Sequence, residues 1–287
     1  MITRNFARYG APSYFYKNLE EFENSDIPSG THSIVYGDFF LDLLVENRGG
    51  ETTIVIFHAA ADPATTSLPV FVGQKITDLP STNVIFVSDP SLDLHTPIGW
   101  FSGDEKRPFQ KDLPRVLKSC FDRLGSRNCI FQGCSAGGFA ALLYSHFFPN
   151  SLAIPVNPQT NIFNYHSNKV EQYLESCWSG ISKDDLPIIS DLIGLYSNGF
   201  PNYVAYLQNK RDSFHIEKHY SHWKSAFIGE YGSNWKLLTE DWGEGHSAPP
   251  HFLQSAILQY AVEAAGNWET VLTDPIFDSS LSSTDLL

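Results

Sequence analysis

One stretch constrains this chain more than any other: Asn128-Cys129-Ile130-Phe131-Gln132-Gly133, followed without a break by Cys134-Ser135-Ala136-Gly137-Gly138. The first six residues read as a strand, and Ala140, Ala141, Leu142 and Leu143 make a helix over 137–147. A strand that enters a helix through so tight a turn strains the backbone at the serine. Side chains two positions to either side would clash, so glycine fits at 133 and 137. The turn lifts the hydroxyl above the sheet and sets it at a helix N-terminus, where developing negative charge is stabilised. The G-x-S-x-G pattern therefore predicts a nucleophile at Ser135, against the alternative of a structural glycine-rich turn. Cys134, the other nucleophile in reach, occupies the x position and is expected to point away.

The rest of the chain reads as strands alternating with helices. Residues 32–36 and 39–46 predict a hairpin turning at Gly37-Asp38. Short β-branched runs occur next at 52–57 and 83–87. Leu113, Val116, Leu117, Cys120, Phe121 and Leu124 recur at helical spacing. Further strands are expected at 151–156, 202–207 and 235–240, with a last apolar helix over 251–265. This alternation predicts a mostly parallel sheet covered on both faces, with the hairpin as an antiparallel edge. Residues 160–200 are too long for a simple crossover and are read as a helical cap, with Tyr173 and Trp178 as substrate-binding aromatics. The expected organisation is one domain over 1–277, with a Ser- and Asp-rich disordered tail over 278–287.

Composition narrows the partners. A net charge of −13 with no basic cluster excludes nucleic acid and anionic membrane surfaces. No apolar run approaches the ~18 residues of a membrane span. Residues 1–10 lack the apolar core of a signal peptide, and the four cysteines match no CxxC or zinc spacing. Reduced thiols and a cytoplasmic location are the expectation. Aromatics at 14% furnish the core, or else an apolar or sugar-stacking pocket.

With the elbow around Ser135 and the strand order in place, the sequence resembles the α/β-hydrolase family over about residues 30 to 265. That resemblance implies an acid and then a histidine after the nucleophile. His246 lies on a glycine-rich loop (Asp241-Trp242-Gly243-Glu244-Gly245-His246) between the last strand and the last helix, and looks like the family's catalytic base. Asp212, just past the strand at 202–207, is the expected acid, orienting the imidazole and offsetting its charge. Glu244 is a less suitable candidate. The oxyanion hole would use the backbone N–H of Ala136 and a second one on the loop His58-Ala59-Ala60-Ala61, taken as that of Ala59, although alanines stand where glycines are usual.

A second constellation competes. Asp212, His215, His219 and His222 would share one face of a helix, where imidazoles one turn apart can hold a metal. The triad reading is preferred, with no metal or cofactor, because a metal would take the carboxylate the triad needs. The expected function is a serine hydrolase cleaving a carboxylic ester through an acyl-enzyme. Its substrate would be a small-molecule or glycan-linked acyl compound. An acyltransferase with the same triad and a non-catalytic binding module are the alternatives. The amides of Asn157, Gln159, Asn161, Gln208 and Asn209 would either bind sugar hydroxyls or satisfy loop backbone.

Overall fold

The computed structural model describes residues 4–62, 65–227 and 234–277; the tail expected to be disordered, 278–287, lies outside them. Nine strands form one sheet: β1 (Ser13–Tyr16), β2 (Gly30–Tyr36), β3 (Phe39–Glu46), β4 (Thr52–Phe57), β5 (Asn83–Val87), β6 (Asn128–Cys134), β7 (Leu152–Val156), β8 (Tyr203–Asn209) and β9 (Trp235–Glu240). Their spatial order is β1-β2-β3-β5-β4-β6-β7-β8-β9. Strand β3 runs antiparallel to both neighbours, and every other pair is parallel. The hairpin forms as expected, but β1 pairs outside it in parallel and becomes the edge. Its four residues, two of them exposed, carry too short a pattern to be read from sequence, and such short edge strands resist further pairing.

The helices are α1 (Leu19–Glu23), α2 (Phe109–Leu124), α3 (Ala136–His146), α4 (Ser167–Cys177), α5 (Leu192–Tyr196), α6 (Ser213–His215), α7 (Ser221–Phe227), α8 (His251–Glu263) and α9 (Trp268–Leu272). Two-residue alternation sends the side chains of β4 to opposite faces. Val55 and Phe57 join one apolar cluster with α2, α3 and Phe131. Ile54 and Ile56 join the other with Ile257, Leu258, Trp268 and Leu272 of α8 and α9. All six residues of β4 are buried, and each such Ile, Val or Phe contributes ~1.5–3 kcal/mol. Residues 160–200 form α4 and α5, whose Tyr173, Trp178, Leu192 and Tyr196 belong to the first cluster. None of the described helices is long and apolar enough to cross a membrane.

The sheet order also makes room for a site. The chain moves from β4 to β5 on one side, then returns across β4 to β6 on the other. Connections that diverge in this way open a crevice beyond the carboxyl ends of the two central strands, the usual place for ligands in α/β sheets. Ser135 comes directly after β6, and Ala59 lies two residues past β4.

The β6–α3 turn is closed by contact. A Cβ added at Gly137 would lie 2.4 Å from the Phe57 carbonyl oxygen, and one at Gly133 would lie 2.3 Å from that of Gly137. Gly194 in α5 has open space, its nearest neighbour being 3.9 Å away. Gly137→Ala is therefore expected to destabilise the fold by more than about 4 kcal/mol, as overpacking against backbone does in the severe cases. Gly194→Ala should be neutral or stabilise by up to about 1 kcal/mol. Urea unfolding of the two variants checks this, and equal midpoints would show that the turn can relax.

Candidate active site

Ser135 adopts φ 59° and ψ −118°, a backbone conformation that L-residues rarely occupy. It is held there by its N–H donating to Val156 O (2.9 Å) and by the helix that starts at Ala136. The first N–H groups of a helix have no partner within it, so that of Ala136 is available to a ligand. Ala59 is half-buried and lines a cleft of about 410 Å³ together with Cys134, Phe71, Val72 and Ala248. Its loop is tied down by His58, whose Nδ1–H donates to Ala59 O (2.6 Å) while its Nε2 accepts from Asp89 N–H (3.0 Å).

Three residues past β8, Asp212 caps α6 and is 2% exposed. Its carboxylate serves two imidazoles: Oδ2 lies 2.5 Å from His246 Nδ1, and Oδ1 lies 3.0 Å from His215 Nδ1. The two rings stack with centroids 3.9 Å apart and planes 16° from parallel. Both therefore present Nε2 on the side away from Asp212. Burial pushes the Asp212 carboxyl up, but the two imidazole hydrogen bonds outweigh it and hold the group well below the usual carboxylate range. Burial lowers His215, and its partnership with Asp212 offsets only part of that.

The structure thus brings Asp212 and His246 together and adds His215, which the sequence placed in a different constellation. A buried amide completes the group. Gln159 donates from Nε2 to Ser135 Oγ (2.8 Å) and reaches His215 Nε2 (3.1 Å), while its Oε1 accepts from Trp100 Nε1 (3.1 Å). Trp100 and Phe101 lie in a buried turn with φ of 51° and 54°, so strained backbone surrounds the site beyond Ser135. Nothing in the local pattern around Gln159 or Trp100 signals these contacts.

The four-residue metal face does not assemble. A π-helical turn over Ile216–Tyr220 breaks the helical period after His215. His219 instead accepts from the Thr160 N–H through Nδ1 (3.2 Å). The cluster that does form, Asp212, His215 and His246, has its donor atoms within 4.8 Å of one another. Each Nδ1 faces one oxygen of the single carboxylate, which is a hydrogen-bonded arrangement. Tyr173 and Trp178 also need correction as substrate contacts, being 0% and 2% exposed. Tyr173 packs edge-on against Trp100 at 5.3 Å and so reaches the site only through that ring. The aromatic from residues 160–200 that borders the site is Tyr165, 6.0 Å from Trp100 and 6.1 Å from His215.

The amides offered as sugar ligands have internal duties. Asn209 Nδ2 donates to Gly243 O (2.8 Å) and Gly245 O (2.7 Å), and its Oδ1 accepts from Trp242 N–H (3.1 Å). Asn157 Nδ2 donates to Ser247 O (2.9 Å) and its Oδ1 accepts from Asn209 N–H (2.7 Å). These bonds hold the loop that carries His246.

The sequence matches no protein-family profile and no curated protein. Solved structures do resemble it. The capsule O-acetyltransferase of Neisseria meningitidis serogroup A superposes with TM-score 0.56 at 17% identity, over 87% of this chain and 99% of that one. An S-formylglutathione hydrolase from Agrobacterium tumefaciens gives 0.55 at 15%, over 83% and 94%. The acylaminoacyl peptidase of Pyrococcus horikoshii gives 0.55 at 11%, over 84% and 42%. The chain has the α/β-hydrolase fold. Within it, the β6–α3 turn, the β8 end and the loop after β9 deliver Ser135, Asp212 and His246 to one edge of the sheet.

This geometry gives two expectations. Asn209→Ala frees the His246 loop without touching a substrate, so kcat should fall by up to about 10²-fold while KM changes little. Steady-state kinetics on a small ester checks it, and an unchanged kcat would show that the loop holds itself. The second concerns pH. Burial holds His32, His58, His215 and His219 below the ordinary imidazole value, His219 at about 3. A folded value below the unfolded one (~6.5) means that the unfolded chain takes the proton first. Their stabilisation is present above pH ~6.5 and is lost as pH falls toward about 3. His219→Asn should flatten this decline by up to about 1.4 kcal/mol per pH unit, read from urea midpoints between about pH 6.5 and 4.5. An unaltered slope would mean that the native ring already carries a proton.

Proposed function

We propose that this protein is a serine hydrolase cleaving a carboxylic ester, with Ser135 as nucleophile, His246 as general base and Asp212 as orienting acid. The observation that carries the reading is the strained Ser135 turn at the switch point of the sheet, joined through Gln159 and His215 to an Asp212–His246 pair whose own separation is 2.5 Å. The pair holds an imidazole with Nδ1–H on a carboxylate, which leaves Nε2 free to take a proton. His246 Nε2 accepts the Ser135 proton as Oγ bonds to the carbonyl carbon. The carbonyl electron pair moves to oxygen, which meets the N–H groups of Ala136 and Ala59. Collapse breaks the bond to the leaving alkoxide, and His246 gives it the proton. Water then repeats the sequence on the acyl-enzyme.

A second reading has its own support. A histidine-to-alanine mutant of the capsule O-acetyltransferase that resembles this chain over 87% of its length has also been solved in complex with CoA. An alcohol or sugar hydroxyl in place of water would make the same triad an acyltransferase. The four unpaired cysteines, with burial pushing the thiols upward, favour a reducing cytoplasm and argue against a thiol nucleophile.

A fluorophosphonate probe should label Ser135, located by peptide mass spectrometry, and Ser135→Ala should lose label and turnover together. Asp212→Asn should fold normally and lose about 10⁴-fold in kcat. EDTA should leave the parent protein active. Labelling that persists in Ser135→Ala, or a stoichiometric metal with chelator sensitivity, would refute the triad. Burst experiments with p-nitrophenyl acetate and added alcohols separate the readings: a faster second phase with acceptor marks transfer.

A further inference from the structure

We propose that Gln159 is a fourth catalytic residue: its amide N–H stabilises the charge that builds on Ser135 Oγ, and Trp100 and His215 are positioning residues that hold the amide in that orientation. The inference rests on the reading of Ser135 as nucleophile and assigns a role to three residues outside the triad.

Donor and acceptor arithmetic fixes the orientation. An indole N–H only donates, so Trp100 Nε1 at 3.1 Å requires the carbonyl end of Gln159. The NH₂ end must then face Ser135 Oγ at 2.8 Å and His215 Nε2 at 3.1 Å. Two hydrogens meet two acceptors. His215 Nε2 accepts, so its proton is on Nδ1 and goes to Asp212 Oδ1 at 3.0 Å. A flipped amide would set N–H against N–H at Trp100 and oxygen against a lone pair at His215. Trp100 and Gln159 are 0% exposed, His215 3% and Ser135 4%, so bulk water gives little compensation for either mismatch.

The chemistry gives the donor two uses. In acylation the proton of Ser135 passes to His246 while Oγ attacks, and an N–H on Oγ stabilises the partial charge left behind. In deacylation the Oγ–carbon bond breaks with its electron pair going to Oγ, which recovers the proton from His246; the same N–H stabilises it as a leaving group. The contact also explains why stacked imidazoles on one carboxylate do not compete. The Nε2 lone pair of His215 is committed to Gln159, so only His246 has a free Nε2 on that side. The titratable groups around the pair are Asp212, His219, Tyr165, His166 and, beneath Ser135, Cys134.

The full-length chain tests this with Gln159→Met, which deletes the donor, and Gln159→Glu, which replaces it with a carboxylate of nearly the same shape. The rate of fluorophosphonate labelling at Ser135 should fall about 10- to 10²-fold in Gln159→Met, with KM for p-nitrophenyl acetate within about threefold of the parent. In Gln159→Glu, a carboxylate beside His215 and Oγ favours a proton on the imidazoles. The acid limb of kcat/KM, traced from about pH 5 to about pH 9, should move up by at least about one unit. The carboxylate moves that limb by its charge alone, so the limb places residue 159 beside the base. The loss of labelling in Gln159→Met shows that its N–H is used, since a merely structural glutamine would leave the labelling rate in place. Labelling of Gln159→Met at more than half the parent rate, or an unmoved limb in Gln159→Glu, overturns the proposal. If the methionine variant does not fold, the labelling rate of Gln159→Glu on the plateau above that limb decides, because glutamate also lacks the donor: it should fall at least about 10-fold, and a rate above half the parent's overturns the proposal. Absence of label at Ser135 in the parent would instead bring down the hydrolase reading itself.

Discussion

The site depends on one steric fact: between β6 and α3 there is no room for a side chain at Gly133 or Gly137. The backbone of α3 presses against the carbonyls of Phe57 and His58 at the end of β4, so Ser135 is driven to a positive φ and its hydroxyl is carried beyond the sheet. Strain of this kind costs of order 1–3 kcal/mol and persists only where the surroundings over-determine it. Here they do. The parallel ladder between β4 and β6 runs from Thr52↔Asn128 to Phe57↔Gly133, and helix α3 packs on both strands.

Around that turn, the polar groups form a closed circuit. Asp212 is the only carboxylate in it and is shared by two rings, so both imidazoles must arrive with their Nδ1 edges together. That requirement stacks them. Gln159 then closes the free edge of one ring and meets the nucleophile, and Trp100 orients Gln159. Asn157 and Asn209, one at the end of β7 and one at the end of β8, hold the loop of His246 from below. The buried polar side chains at this edge of the sheet mostly satisfy one another, which gives the arrangement rigidity without apolar packing.

Much of this was legible in the sequence. The elbow around Ser135 rests on a pattern spanning a few residues, and the resemblance to the α/β-hydrolase order then pointed to Asp212 after a strand and to His246 on its glycine-rich loop. The central strands and the long helices also rest on short patterns, because hydrophobic period and turn sterics act locally. The competing four-residue metal face, to which the triad was preferred, does not assemble for an equally physical reason. It assumed an unbroken helical period from Asp212 to His222, and the π-helical turn after His215 removed it. Tyr173 and Trp178 failed as substrate contacts because an apolar stripe does not say whether it faces a cavity or the core.

The sequence by itself determined that a serine stands at a strand-to-helix turn too tight for any other neighbours, with an acid and a histidine on later strand ends. Covalent geometry and short-range sterics are enough for the turn; the acid and the histidine follow from the resemblance to the α/β-hydrolase order. Only the tertiary structure decided that His215 joins Asp212, that Gln159 touches Ser135, and that Asn157 and Asn209 serve the loop rather than a ligand. Each of these is a choice of partner by a buried polar group. Such choices depend on which strand ends meet, and in this fold the sheet order brings Ser135 and Gln159 together across 24 positions of the chain and Asn157 and Ser247 across 90.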